Sequence, residues 1–320
     1  MPRLSVILLS LDGGASLKKV IRHLGTHRWA HHMEIVVAIT EDAPLAVEPP
    51  QGFAGFRLVR APVLEDFGKA RAAAVRAASA PYVVLAEDHS FPLEGWAQAL
   101  LAQLEAGAPA VGPHILVANP ATSISWSDAI LCYGDYLQPL RKQTAEHIPW
   151  HNSAYRRDIL IAFGDRLDFL LQADASVQAA LADEGHRFAM TPDAATNHCN
   201  HSLLRPQWIA LYWGNRLYGA NRATREHWPI ARRLFYAAAW PAIVGLRAWR
   251  ALRICLGLRG HRLRYHTLLP LLLAGAVVAA VGEVWGYLFG LGRKTLRRRS
   301  YYELNRVLHV RGSEVGLLTD

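Results

Sequence analysis

The chain has 320 residues, 52% of them hydrophobic, which is enough for one large folded domain and an appended region. Its three cysteines, Cys132, Cys199 and Cys255, lie far apart, which excludes a disulfide scaffold and a CxxC metal pair and indicates a reducing compartment. The first residues do not form a basic and apolar leader, so we expect no cleaved signal peptide.

The net charge of +9 is unevenly distributed along the chain. Residues 1–204 contain 16 Lys/Arg and 21 Asp/Glu, a net of −5, whereas residues 205–320 contain 19 and 5, a net of +14. A strongly basic segment indicates a negatively charged partner, either nucleic acid or anionic lipid. We therefore predict a catalytic domain at 1–204 and a basic helical region at 205–320.

Strands and helices alternate over the first hundred residues. Apolar runs at 4–9, 34–39 and 82–86 predict buried strands, and helical patterns occupy 16–24 and 69–80. This alternation predicts a parallel, right-handed, doubly wound sheet. Because ligands of such sheets bind at the carboxyl ends of the strands, we expect a site at the small and acidic residues that follow each strand. These are Ser10–Gly14, Thr40–Asp42 and Glu87–His89.

The next hundred residues continue the mixed pattern. The stretch 119–140 fits either a loop over a pocket or an irregular helix. Trp96 falls on the apolar side of a helical pattern and is expected in the core. The remaining predicted elements are an edge strand at 56–59, helices at 93–106, 158–163 and 176–184, strands at 110–117 and 186–190, and a turn at 191–193.

Several short motifs follow one another in a distinctive order. They are Leu4–Asp12, Glu41-Asp42, Gly68-Lys69-Ala70-Arg71, Glu87-Asp88-His89, His151–Arg157, Gln172-Ala173-Asp174, and Thr191-Pro192-Asp193 with Asn197-His198. This ordered set resembles the family 2 glycosyltransferases over residues 1–204. The resemblance implies an inverting enzyme with the α/β GT-A fold, a Rossmann-like, mostly parallel sheet that binds a nucleotide-diphosphate sugar.

The resemblance also implies a role for each motif. The nucleotide would be bound by Ser10, Asp12, Glu41, Asp42, Lys69, Arg71, Glu87 and Asp88. A divalent cation, Mn²⁺ or Mg²⁺, would be held by Glu87, Asp88, His89 and His198, and the acceptor would be framed by His151, Asn152 and Ser153. Asp174 would be the catalytic base. The chain departs from the family pattern at His89 and Ala173, where the family usually has acids, so Asp168 is a second candidate base.

The basic region contains an apolar segment, Leu268–Leu291, that is long enough to cross a bilayer. Glu283 lies within it, and basic residues flank both ends, which argues against a simple span. We therefore predict a segment that re-enters or lies on the cytoplasmic face of an anionic membrane. A buried helix of a C-terminal bundle is the alternative, and nucleic acid is not expected as a partner. The flanking residues are Arg259, Arg262 and Arg264 before it and Arg293, Lys294, Arg297, Arg298 and Arg299 after it, and Arg247, Arg250 and Arg253 form a further basic stripe.

Together these features predict a membrane-associated, metal-dependent glycosyltransferase that acts on a glycan or lipid-linked acceptor in cell-envelope polysaccharide synthesis. Two alternatives stay open. A nucleotidyltransferase would carry a basic loop after the first strand, but no Lys or Arg precedes Lys18 there. A catalytically degenerate membrane scaffold is the other, and the features that would favour it are Glu87-His89 and Ala173. If no core is exposed, deletion of residues 260–320 should release a soluble catalytic domain.

Overall fold

The computed structural model describes residues 1–43, 49–137, 144–149, 151–258 and 263–319. Two of the flanking arginines, Arg259 and Arg262, lie outside the described residues, as does the side chain of Asp174. The chain forms two compact units. Unit 1 comprises Met1–Leu116, Pro139–Cys199 and Val315–Asp320, and unit 2 comprises Val117–Gln138 and Asn200–Glu314.

Unit 1 is built on one mixed nine-stranded sheet in the order β3-β2-β1-β4-β8-β6-β9-β5, with β7 paired to β9. The strands β1 to β4 pair in parallel, which confirms the parallel sheet predicted for the first part of the chain. Strands β5, β7 and β8 join in antiparallel pairs. The strands are β1 Leu4–Ser10, β2 Met33–Ile39, β3 Gly55–Arg60, β4 Tyr82–Leu85, β5 Ser90–Pro92, β6 Ala110–Val117, β7 Thr144–Ala145, β8 Ala154–Arg156 and β9 Phe188–His198.

Strands β1 and β2 are buried along their whole length, as their largely apolar sequences require. One buried charge, Glu34 on β2, is held by four hydrogen bonds. It accepts from Ser5 Oγ at 2.6 Å, from Arg57 Nε at 2.6 Å, and from the amide and hydroxyl of Ser79 at 2.8 Å each. Burial raises the pKa of the Glu34 carboxyl, but these bonds outweigh it and leave the pKa below its ordinary value. Glu34 therefore joins three strands at their amino ends.

The helices of unit 1 flank this sheet. Trp96 is fully buried, as its helical spacing predicts. The turn predicted at 191–193 is wrong, because β9 continues through these residues to His198, and Pro192 is exposed where a missing amide is tolerated. The helices are α1 Ala15–Gly25, α2 Phe67–Ala77, α3 Trp96–Glu105, α5 Arg157–Ile161, α6 Arg166–Leu170, α7 Asp174–Asp183 and α13 Gly316–Thr319, with a 3₁₀ turn at Ala30–His32.

Unit 2 is helical. The stretch 119–140, for which a loop and a helix were both open, contains a regular helix. The apolar segment forms a single continuous helix, α11. The chain does not turn back within it, in contrast to a re-entrant hairpin. By length and composition it is able to cross a bilayer, but 44% of its most apolar stretch is buried within the protein, so this is weak evidence for a span. The helices are α4 Ser123–Tyr133, α8 Leu204–Arg225, α9 Ile230–Ala238, α10 Trp240–Gly257, α11 Tyr265–Phe289 and α12 Thr295–Leu304, with 3₁₀ turns at Gly134–Leu137, Arg306–His309 and Gly312–Glu314.

A buried ionic cluster fixes the start of the C-terminal part of unit 2. Asp128 on α4 accepts a hydrogen bond at its Oδ2 from the amide of His201 at 2.9 Å. The same oxygen lies 3.1 Å from Nδ1 of the His201 ring. Arg306 lies 3.7 Å from that oxygen. Burial raises the pKa of Asp128, but the charges and hydrogen bonds of His201 and Arg306 bring it below its usual range. His201 is thereby engaged in a structural contact.

Candidate metal and nucleotide site

The first part of the candidate site is the tight loop after β1. Ser10 Oγ accepts a hydrogen bond from the amide of Gly13 at 3.0 Å, and Asp12 Oδ1 accepts from the amide of Gly14 at 2.7 Å. Gly13 has a φ of 70°, in the left-handed region that glycine adopts without strain. A Cβ on Gly14 would lie 2.7 Å from Asp12 Oδ1. The loop therefore orients the exposed Asp12 carboxylate through its own backbone.

The loop after β2 carries Glu41 and Asp42, and both are exposed. Arg60 at the end of β3 holds this loop by donating to the carbonyl oxygens of Thr40, Glu41 and Ala43. The two carboxylates thus lie at the carboxyl end of the parallel strands, on a loop whose backbone is held by Arg60.

The third part is the start of α2. Asp66 caps this helix, since its Oδ1 accepts from the amides of Gly68 at 3.1 Å and Lys69 at 3.3 Å. Its other oxygen accepts from Gln172 Nε2 at 2.9 Å. A Cβ on Gly68 would lie 2.6 Å from the carbonyl oxygen of Asp168 and from Gln172 Cγ, so only glycine permits this close approach. Lys69 is exposed beside the capped end.

The centre of the site is Glu87, which follows β4 and is buried. Its Oε2 accepts from Ser90 Oγ and from Asn152 Nδ2, both at 3.0 Å. His198 Nε2 lies 3.4 Å from Oε2, and His89 Nε2 lies 3.6 Å from Oε1. The antiparallel pairing of β5 with β9 places Ser90 opposite His198, which brings the last residue of β9 to Glu87.

Asp88 is also buried, and its carboxylate contacts Ser16 and His89. Its Oδ2 accepts from Ser16 Oγ at 2.9 Å, and its Oδ1 lies 2.9 Å from His89 Nδ1. A carboxylate on one ring nitrogen fixes the orientation of an imidazole and presents the other nitrogen, an arrangement common around metal ligands. Asp88 therefore holds His89 with its Nε2 toward Glu87.

The segment 151–153 lies alongside the end of β4. The amide of Asn152 donates to the carbonyl of Leu85, and the amide of Leu85 donates to the carbonyl of Ser153. This position brings His151 Nδ1 to 3.4 Å from Glu87 Oε1 and 2.9 Å from Arg71 Nη2. Arg71 is itself buried, so its cation lies within the acidic and imidazole cluster.

Three of these side chains form a set that can hold a cation. One ligand atom each from Glu87, His89 and His198 lies within 4.8 Å of the others, and all three residues are buried. A carboxylate with two imidazoles suits a divalent first-row metal, whereas Mg²⁺ favours oxygen ligands alone. The residues present therefore fit a cation such as Mn²⁺.

The structure brings half of the predicted site residues into one cluster. Glu87, His89 and His198 lie together, Asp88 is bound to His89, and His151 and Asn152 contact Glu87. Ser153 Oγ instead donates to the Pro149 carbonyl at 2.8 Å. Asp174 is the first residue of α7, and its side chain lies outside the described part of the chain. The alternative base Asp168 pairs with Arg76 at 2.8 Å.

Two residues that support the site were not predicted from the sequence. Ser90 supports Glu87, and a serine three residues after an acid in a turn could have indicated this. Ser16 supports Asp88 across 72 residues of sequence, and no local signal points to that contact.

Comparisons with known proteins bear on the family and the fold of the chain. Residues 5–164 match the family described as Glycosyl transferase family 2. A search of curated proteins finds no match. Among solved structures, the mannosyltransferase PcManGT from Pyrobaculum calidifontis, in complex with GDP-Man and Mn²⁺, aligns with a TM-score of 0.55 and 16% identity over 89% of this chain and 87% of its own.

Two further solved structures align less well. Residues 1–349 of TarS from S. aureus give a TM-score of 0.45 and 13% identity over 88% of this chain and 90% of that chain. GalNAc-T7 with UDP, GalNAc and Mn²⁺ gives a TM-score of 0.46 and 13% identity over 72% and 52%.

Proposed function

The chain belongs to glycosyl transferase family 2, and on that premise we propose that it transfers a sugar from a nucleotide-diphosphate donor to an acceptor hydroxyl with inversion. The observation that carries this proposal is the buried cluster of Glu87, His89 and His198 after β4, with the Arg71 cation beside it. In transfer from a nucleotide sugar, the leaving diphosphate gains negative charge that the site must neutralise.

A divalent cation supplies most of that neutralisation when it is bound to the diphosphate. We assign its binding to Glu87, His89 and His198, and we assign to Asp88 the task of orienting His89 through the Nδ1 contact. Ser10, Asp12, Glu41, Asp42 and Lys69 are the remaining proposed nucleotide contacts, since they line the carboxyl ends of β1 and β2 and the start of α2.

Deprotonation of the acceptor requires a base, and we propose Asp174 for this role. His151, Asn152 and Ser153 remain the proposed frame of the acceptor site, because their backbone is fixed against the end of β4. We further propose a lipid-linked or other cell-envelope acceptor at the cytoplasmic face of a membrane. The support for this is the basic and apolar composition of residues 205–320.

The metal assignment is tested by Mn²⁺ and nucleotide binding. Isothermal titration should show that GDP or UDP binds the full-length protein with Mn²⁺ and that EDTA removes this binding. Glu87→Gln should weaken it by about 1.5–3 kcal/mol, the usual worth of a hydrogen bond to a charged group. The matched control is Glu184→Gln, because Glu184 is an exposed acid at the end of α7.

Activity is tested by donor-dependent release of nucleoside diphosphate over a panel of nucleotide sugars that begins with GDP-mannose. Mn²⁺-dependent release distinguishes a transferase from a degenerate scaffold. EDTA-insensitive nucleotide binding that Glu87→Gln leaves unchanged would overturn the metal assignment.

A further inference from the structure

One side of α11 is apolar and exposed from Leu269 to the end of the helix. Every fourth residue from Leu269 to Phe289 is a large apolar side chain that is between 36% and 60% exposed. A helix that faces water carries polar residues on its exposed side. This row has none, and it comprises Leu269, Leu273, Val277, Val281, Trp285 and Phe289.

The covered side of α11 includes small residues that let α8 approach closely. A Cβ on Gly282 or Gly286 would collide with the carbonyl oxygens of Tyr212 and Arg216 on α8. The single acid of the helix, Glu283, is on this covered side. Its carboxylate accepts from Arg247 on α10 at 2.5 Å and from the hydroxyl of Tyr287. The charge that argued against a simple span is therefore paired within the protein.

The helix α9 also combines side chains that pack within unit 2 with exposed apolar side chains. Its Tyr236 stacks on Trp228 with ring centroids 4.5 Å apart, and the guanidinium of Arg232 lies 4.4 Å from the centroid of the Trp228 ring. These contacts fix one side of α9 to unit 2. Elsewhere on α9 lie Ile230 and Phe235, which are among the most exposed large apolar residues of the described chain.

Large exposed apolar residues are concentrated in this part of the molecule. Of the twenty found in the described residues, fourteen lie between positions 230 and 289, whereas unit 1 has three, Met1, Leu93 and Leu317. On α10 they include Trp240 and Trp249, and tryptophan favours the boundary between headgroups and acyl chains. An apolar surface of this extent marks an interaction site.

The charges around this surface are basic. The carboxylates Glu226, Glu283 and Glu303 each form an ion pair with at least one arginine of unit 2. Exposed cations remain at both ends of α11 and on α10, and they are complementary to anionic headgroups. They are Arg250, Arg264, Arg293, Lys294, Arg297 and Arg298.

We propose that α9, α10 and α11 together form an interfacial face that inserts into one leaflet of an anionic bilayer, with α11 lying in the membrane plane. This arrangement keeps the cations at both ends of α11 among headgroups of one leaflet, whereas a span would separate them. The proposal deepens the membrane part of the proposed function, which supplies the lipid-linked acceptor. Its structural support comes from unit 2 alone.

Flotation of the full-length protein with vesicles tests the face. We expect binding to phosphatidylcholine vesicles that contain phosphatidylglycerol, with weaker binding to pure phosphatidylcholine and at high salt. The double variant Leu273→Glu/Trp285→Glu should lose on the order of 100-fold in partitioning, because two large apolar groups leave the interface. Leu93→Glu, at an exposed apolar position of unit 1, is the control and should float like the unsubstituted protein.

Sidedness separates an interfacial helix from a span. In a Cys132→Ser background, cysteines introduced by Arg264→Cys and Arg293→Cys should react with an impermeant maleimide from the same side of the vesicle. The proposal would be overturned by reaction from opposite sides or by undiminished flotation of the double variant. It would also be overturned if neither protein floats and the unsubstituted protein is a dimer in solution that the double substitution dissociates. Donor hydrolysis without lipid is measured in parallel and confirms folding. Its loss with intact flotation would count against the transferase proposal alone.

Discussion

At the scale of single residues, one of the two candidate bases has a partner in the structure. Asp168 on α6 is bound to Arg76 on α2, so its carboxylate has a structural partner. Asp174 begins α7 directly after Ala173, which takes the cap position that a side-chain acceptor usually fills. Asp174 remains the proposed base, and Asp168 remains the alternative.

Substitution of the two acids should therefore give different results. Asp174→Asn should keep Mn²⁺-dependent donor binding and lose transfer by about 10²–10⁴-fold, the usual contribution of a general base. Asp168→Asn is the matched control and should change stability by only about 0–1 kcal/mol, as for a surface ion pair. Single-turnover rates and donor titrations of both variants measure this. If only Asp168→Asn loses transfer, the base is Asp168.

At the scale of secondary-structure elements, the pair α8 and α11 depends on glycine. The sequence Gly282-Glu-Val-Trp-Gly286 spaces two glycines by four residues, and both face the backbone of α8. On α8, a Cβ on Gly219 would collide with the carbonyl of Glu283 in turn. Such small residues permit close backbone packing, as in helices of membrane proteins.

Alanine substitutions within the helices of unit 2 test this packing. Gly282→Ala must displace a backbone carbonyl, so we expect destabilisation of about 1–3 kcal/mol, the usual cost of overpacking. Gly245→Ala on α10 is the control, since the added Cβ would have no atom within 4 Å apart from its chain neighbours and the backbone of its own helix. It should stabilise its helix by up to about 1 kcal/mol. Thermal unfolding in mild detergent measures both, and equal Tm values would show that α8 and α11 are not closely packed.

At the scale of the whole molecule, both units are assembled from separated stretches of chain. Unit 1 includes Val315–Asp320, where Gly316 accepts a hydrogen bond from Lys19 at 2.6 Å through its carbonyl oxygen. Unit 2 includes α4 together with the helices after residue 204. The boundary predicted at 204 remains a prediction for the functional domains, but a cut in the C-terminal region removes parts of both units.

Deletion of residues 260–320 is therefore expected to fail as a route to a soluble enzyme. It removes α11 and with it the cover of α8, where Leu211, Leu217 and Ala220 are buried. Exposure of this apolar surface costs roughly 25 cal/mol per Å². We expect the shortened chain to aggregate and to be digested rapidly by a protease, whereas the full-length chain in detergent stays intact. A monodisperse shortened protein that binds donor would show that α11 is dispensable for folding.

Much of unit 1 follows from the sequence by itself. Period-free apolar runs indicate the buried strands β1, β2 and β4, and their carboxyl ends carry Asp12, Glu41 and Glu87. This inference works because the carboxyl ends of parallel strands lie at one edge of the sheet. A motif that directly follows such a strand in sequence therefore lies at that edge. The order of the motifs then indicates the family.

The contacts between elements were decided only by the tertiary structure. His198 and His201 lie three residues apart and carry the same chemistry, yet His198 meets Glu87 because β9 pairs with β5, whereas His201 binds Asp128 in unit 2. Likewise, Glu283 is a charge within an apolar segment of the sequence, and only the packing of α10 against α11 shows that it pairs with Arg247. Sequence spacing determines which side chains share an element, but strand register and helix packing determine which of them meet.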